Sequence, residues 1–143
     1  MGLDILYGII TTFNKMNSKE LNFKNISEIF ESDKKYDIGT VVRVGGEKEI
    51  TEGSFGKKAL GVIADIDNSI ILNCNSTGQP VVLKGRAKVK CRGPILKGDE
   101  VIPDYDGTVC TLHANYKDKI FAIALESNLK PSNQIGTIEV IIL

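Results

Sequence analysis

From Tyr36 onward, short apolar runs rich in Val and Ile alternate with clusters of Gly, Asp and Asn. β-Branched runs bounded by such turn formers predict strands. The pattern predicts strands over residues 40–44, 47–51, 59–64, 69–73, 80–83 running through Gly85 into 86–92, 100–102, 108–114, 120–125 and 137–142. About nine strands at intervals of roughly 8–12 residues predict an all-β fold, a compact sandwich or barrel of mainly antiparallel strands. No long amphipathic helix lies between them, which excludes parallel βαβ units. Gly45-Gly46 and Gly93-Pro94 end strands, and Gly53–Lys57 reads as a hairpin loop.

Residues 1–35 have a different texture. Leu3, Ile5, Leu6, Tyr7, Ile9, Ile10 and Phe13 are apolar without a clean 3.6-residue period. Asn25–Phe30 reads as a short helix or turn. The chain is therefore expected to divide into a short N-terminal arm, residues 1–35, and a β domain, residues 36–143. The arm is apolar enough to bind a partner and too short to fold alone.

Two strands have readable faces. In the run Arg86–Arg92, the cations Arg86, Lys88, Lys90 and Arg92 alternate with Ala87, Val89 and Cys91. Alternation puts the four cations on one face. They read either as a stripe that meets an acidic partner, or as the solvated face of an edge strand protected by its charges. Phe121, Ile123 and Leu125 point one way, and Ala122 and Ala124 point the other way, toward something closely packed. The last strand is apolar on nearly both faces, which predicts a central strand or one completed by a neighbouring subunit.

Charge and composition then narrow the chemistry. Eighteen Lys and Arg balance eighteen Asp and Glu in 143 residues. A neutral chain is a poor nucleic-acid binder, and no long-range repulsion opposes its self-association. Aromatics are 6% of the chain with no Trp, a thin supply for base or sugar stacking. One histidine and three cysteines without close pairing argue against a zinc site and imply no cofactor. Cys74, Cys91 and Cys110 read as small buried hydrophobes in a reducing environment. Pairing of Cys91 or Cys110 with His113 stays open as a catalytic dyad, although no nucleophile signature surrounds it. Asp65-Ile66-Asp67-Asn68 starts like a calcium loop but lacks its central Gly and has Ser76 where the closing Glu is needed. Asp104 and Asp106 flank Tyr105 as turn formers. No apolar run is long enough to span a membrane as a helix, and the N-terminus makes a poor signal peptide.

Seven segments fall into a recognisable order: Tyr36-Asp37-Ile38-Gly39-Thr40-Val41-Val42, Gly45-Gly46-Glu47-Lys48-Glu49-Ile50-Thr51, Gly61-Val62-Ile63, Val82-Leu83-Lys84-Gly85-Arg86, Val89-Lys90-Cys91-Arg92-Gly93-Pro94-Ile95-Leu96-Lys97-Gly98-Asp99, Ala122-Ile123-Ala124-Leu125-Glu126 and Gly136-Thr137-Ile138-Glu139-Val140. Together they resemble the β-rich domain at the C-terminal ends of tailed-bacteriophage fibre and virion structural proteins, and the small decoration (cement) proteins of phage heads. The chain departs from that pattern at Ala64-Asp65-Ile66-Asp67. The resemblance implies a non-enzymatic virion protein, either a capsid decoration protein or a tail or fibre attachment protein. It would be made in the host cytoplasm, be incorporated into the virion and form a homotrimer. Its partners would be the major capsid or tail proteins, bound through the arm and the sheet edges, with no nucleic acid, membrane or metal involved. A receptor- or glycan-binding module is the alternative, and a small hydrolase a second one.

Overall fold

The computed structural model describes residues 22–143, together with Gly8. Ten strands follow one another: β1 (Asn25–Phe30), β2 (Val41–Val44), β3 (Ile50–Glu52), β4 (Gly61–Ile63), β5 (Ser69–Leu72), β6 (Gln79–Arg92), β7 (Glu100–Pro103), β8 (Val109–Thr111), β9 (Ala122–Ala124) and β10 (Ile135–Ile142). Short 3-10 turns at Ile66–Asn68, Tyr105–Gly107 and Ala114–Lys119 connect some of them. The fold is all-β, and each of the nine sequence-predicted strands has its counterpart.

The C-terminal strands close on themselves. Neighbour by neighbour, β6 pairs β10, β10 pairs β9, β9 pairs β7, β7 pairs β8, and β8 returns to β6 through the parallel contact Cys91↔Val109. A closed ring has no edges to protect. So few strands enclose a narrow interior, and the inward residues are correspondingly small or β-branched: Ala87, Val89, Cys91, Val101, Val109, Ala122, Ala124, Ile138 and Val140. Ala122 and Ala124 point inward as expected, at 0% and 2% exposure. The C-terminal strand β10 is central, paired on both sides within its own chain, and alternates buried residues with more exposed ones.

The other strands extend β6 into an outer sheet. Along its first half β6 pairs β1 on one side and β4 on the other, and the sheet continues through β2 to β3. β5 pairs β1 in parallel. This sheet is buried on both faces. Val41, Val62 and Val82 face the barrel core, while their chain neighbours Val42, Ile63 and Val81 face a second core with Tyr36 and Ile50. Doublets of β-branched residues are what double-sided burial demands.

The junction between the halves is Gly85, at φ +104°. A β-carbon there would stand 2.7 Å from the Lys24 carbonyl oxygen and 2.8 Å from the Asn25 Cα. Only glycine allows both the left-handed conformation and the close approach of β1. A register shift between Ile26 and Ser27 adds a bulge just beside it.

Two local expectations are corrected. Asn25–Phe30 is strand β1 and not a helix or turn, so the β fold begins eleven residues before Tyr36. Its polar residues deceive a reading based on apolar period. Ser27 is fully buried and its hydroxyl lies 2.6 Å from that of Ser69. Asn25 is buried and donates its amide to the Arg86 carbonyl at 2.7 Å. Gly53–Lys57 does not close a hairpin, because β3 and β4 lie on opposite sides of β2 and the loop must pass across its end. By contrast, the Leu96–Asp99 reversal is as compact as its sequence implies. Gly98 takes φ +93°, Asp99 N–H donates to Leu96 O at 2.9 Å, and the Asp99 carboxylate accepts from Leu96 N–H at 2.9 Å.

Candidate functional site

The basic stripe has the faces its alternation predicts. Ala87, Val89 and Cys91 are buried, and Arg86, Lys88, Lys90 and Arg92 lie on the outer side. Across the ladder the cations stand opposite Ile141, Glu139, Thr137 and Ile135 of β10. The edge-strand interpretation of the stripe is corrected, because β6 pairs along both sides and is the spine of the sheet. Three of the cations already have counter-ions: Arg86 with Glu139 at 3.8 Å, Lys90 with Asp37 at 3.4 Å and Arg92 with Asp106 at 2.7 Å. Such partly solvated pairs contribute about 0–1 kcal/mol each. Among the described residues, Lys88 alone of the four forms no ion pair, and it is exposed.

Beside Lys88 the surface opens into a cavity of about 250 Å³. Lys24, Arg86 and Lys88 bring three cations to its wall, Asp65 and Glu139 two carboxylates, and Ile38, Ile63 and Ala87 an apolar floor. Asn25 belongs to the same wall. Its amide nitrogen is committed to the Arg86 carbonyl, which fixes the side-chain orientation and leaves Oδ1 buried without a hydrogen-bond partner. The excess of cations suits an acidic surface feature of a partner.

A second surface feature gathers three of the nine Phe and Tyr residues and the only histidine. Phe55 is its hub. Tyr105 stacks on it at 5.6 Å between centroids and 21° between planes. Tyr116 meets it edge-on at 4.7 Å and His113 at 5.6 Å. Phe55 comes from the loop after β3, Tyr105 from the turn after β7, and His113 and Tyr116 from the segment after β8, so closure of the barrel brings them together. Sequence reading missed this cluster because its members are scattered over loops with no shared period. The one local signal is Asp104-Tyr105-Asp106-Gly107, which sets an aromatic ring on a turn where polar residues are usual.

The cysteines divide. Cys91 and Cys110 are buried, as expected, whereas Cys74 is exposed and corrects the expectation for that position. Burial first, and then the charge and hydrogen bond of Asp104, push the Cys110 thiol up to about 12. Burial raises the Cys91 thiol as well. Both thiols are therefore protonated at neutral pH, in a state poorly suited to nucleophilic attack. The His113 ring packs against Phe55.

Asp65 caps the turn Ile66–Asn68, accepting from Asp67 N–H and the Asn68 amide at 3.1 Å each. Among the described residues no three His, Cys, Asp or Glu side chains converge as a metal site would require, and no helix is long and apolar enough to cross a membrane. The arm residues Leu3, Ile5, Leu6, Tyr7, Ile9, Ile10 and Phe13 lie outside the described residues. Compared with known proteins, the chain matches no family model and no curated protein.

Proposed function

We propose that the protein is a non-enzymatic structural component of a tailed-phage virion, a capsid decoration protein or a tail or fibre attachment protein. The observation that supports this reading is the placement of the seven motif segments. They occupy one continuous β unit, from the Tyr36 segment of the outer core to strand β10, and include the junction Gly85 and the rigid Leu96–Asp99 turn. A closed barrel carrying a second core is a stiff module, suited to holding position on a lattice.

In this reading the N-terminal arm and the Lys24–Arg86–Lys88 face bind an acidic region of the major capsid or tail protein. Many copies on one particle add avidity. Three copies assemble as a homotrimer, a state favoured by zero net charge and by the resemblance. Mass spectrometry of virions purified from the encoding host is the test. A copy number in the hundreds assigns the protein to the head, and a few dozen or fewer to the tail. Absence from the particles overturns the proposal. Sedimentation that yields only a 15.6 kDa species overturns the trimer.

A further inference from the structure

We propose that the cleft between the end of β2 and Lys57–Leu60 is an anion-binding site, and that its ligand is a phosphate group. This site is separate from the Lys88 face, and it does not depend on attachment to a particle.

The path of the loop after β3 makes the cleft. The chain entering β4 follows β2 only as far as Val42, whose carbonyl accepts from Leu60 N–H at 2.9 Å. Beyond that bond the two diverge around a cavity of about 380 Å³, lined by Arg43, Val44, Lys57, Lys58, Ala59 and Leu60. Backbone groups alternate in direction along a strand. Val41 O and Gly45 N–H bond toward the β3 side, to Gly53 N–H and Glu49 O. Val44, like Val42, therefore turns its N–H and C=O toward the cleft, where the loop supplies no backbone partner.

The loop is held at both ends. Phe55 is packed among Tyr105, Tyr116 and His113. Lys57 N–H donates to Ser54 O at 3.2 Å. Ala59 packs on the barrel core and Leu60 on the second core. The backbone that carries Lys57 and Lys58 is thus ordered in advance and loses little freedom on binding.

Arg43 is placed by its surroundings as well. A β-carbon at Gly45 would stand 2.6 Å from Arg43 Nη1, so the guanidinium occupies space that only glycine leaves open. Its Nε–H is buried without an acceptor. Among the described residues, Arg43, Lys57 and Lys58 form no ion pair. Asp118, whose carboxylate Lys58 influences, is bonded to Lys119 at 2.9 Å.

Charge selects the ligand. The cavity beside Lys88 has Asp65 and Glu139 on its wall, whereas no carboxylate lines this cleft. Three uncompensated cations attract an anion and repel a cation. A carboxylate brings one charge and two oxygens. A phosphate monoester brings about −1.5 to −2 charges at neutral pH and three terminal oxygens, enough to meet all three side chains. The guanidinium fork suits two of those oxygens, and each ammonium acts as a point charge. A nucleic-acid strand spreads single charges along its length, and three cations on a neutral chain offset few of them.

The test uses the full chain and two probes, inorganic phosphate and O-phosphoserine, titrated at constant ionic strength and followed by amide NMR. The expected result is saturable binding at millimolar concentration or below, with shifts centred on Val44 and Lys57–Leu60 and with acetate several-fold weaker. Affinity for O-phosphoserine should fall as pH drops through about 6, where the ester loses its second charge. Arg43→Gln should weaken binding about tenfold, and so should the double variant Lys57→Gln, Lys58→Gln, whose side chains are exposed. Lys88→Gln should leave it unchanged. Tighter binding of O-phosphoserine assigns the site to an organic phosphate, and tighter binding of inorganic phosphate assigns it to the free ion; both support the site. Four results would overturn the proposal: shifts that rise linearly without saturating, acetate held as tightly as phosphate, full affinity in either the Arg43 or the double-lysine variant, or oligo-dT held more tightly than both probes.

Discussion

The barrel and the outer sheet solve the same burial problem in different ways. In the barrel, closure removes every edge, and one interior is filled by Ala, Val, Cys and Ile side chains. In the outer sheet both faces are covered, and part of the second core is polar. Tyr36 is 6% exposed, its hydroxyl donates to Asp33 Oδ1 at 2.5 Å, and it accepts from Glu52 N–H at 3.1 Å. Gln79 holds the Tyr36 backbone from both sides at 2.8 Å. The barrel is specified by shape and the outer core by directed bonds. Mutations should therefore act through packing in the first and through hydrogen bonding and pH in the second.

Truncation should give the largest effect. Removing residues 1–21 leaves β1 and the backbone bonds of Lys24 to Asn68 and Arg86 intact, so the melting temperature should change by only a few degrees. Removing residues 1–35 deletes β1, exposes one side of β6 along Gln79–Gly85 and takes away Ile26. That variant should lose cooperative unfolding in a thermal melt. Equal melting of the two truncations would mean that the outer sheet does not depend on β1.

Ile138→Ala comes next. It empties a fully buried barrel position and should cost about 3–4 kcal/mol, within the range for buried Ile and Leu truncations. Ile50→Ala in the outer core should cost about 2–3 kcal/mol. Hydrogen exchange separates them. Ile138→Ala should lower protection in both halves, and Ile50→Ala chiefly in β2 and β3. Uniform loss of protection in both variants would erase the distinction between the halves.

How far the sequence reveals this arrangement depends on the kind of signal. Strands whose inward residues are Val, Ile or Ala are readable, since period 2 and β-branching report burial directly. The faces of Arg86–Arg92 and of Phe121–Leu125 follow from alternation alone. β1 is not readable, because Asn25 and Ser27 are buried through hydrogen bonds that a hydropathy pattern scores as exposure. The path of Gly53–Lys57 is hidden for another reason: loop length does not say that β2 intervenes. The aromatic cluster shows a third limit. A low aromatic count argues against stacking chemistry only if the rings are dispersed, and Phe55, Tyr105 and Tyr116 are not.

Tyr36→Phe should be a smaller change, about 1–2 kcal/mol, since it removes the acceptor of the Glu52 N–H and one of the two hydroxyl donors to the exposed Asp33 carboxylate, which keeps Thr51. Its pH dependence sharpens the contrast between the halves. Burial, and then the hydrogen bond to Asp33, raise the Tyr36 hydroxyl above its usual value. The wild-type protein should keep that stabilisation below about pH 10 and lose it as pH rises further. Tyr36→Phe should flatten this alkaline limb. The hydroxyls of Tyr36 and then Thr51 hold Asp33 below the usual carboxylate range. That contribution is present above about pH 4 and is lost as pH falls through the lowered value. Asp33→Asn should remove this part of the acid limb in urea titrations, whereas barrel substitutions should shift the whole curve without reshaping it.

The smallest expected effect on stability is at Lys88. Lys88→Glu should change it by no more than about 0.5 kcal/mol, because the side chain is exposed and forms no ion pair. On the proposed attachment to virions, association of Lys88→Glu with purified particles should slow, and the wild-type rate should fall as salt rises. A rate indifferent to both would leave the stripe as a solvated face.

β6 also has a mechanical meaning. Tension that enters the chain at Lys24 in line with β1 reaches the rest of the molecule through the parallel β1–β5 ladder and the longer antiparallel β1–β6 ladder, which runs from Asn25↔Gly85 to Phe30↔Gln79. Such a pull loads those hydrogen bonds in shear, all together, and β6 passes the load on to the closed ring. A tether at this end of the domain would break by sliding a whole strand and not by unzipping bond by bond.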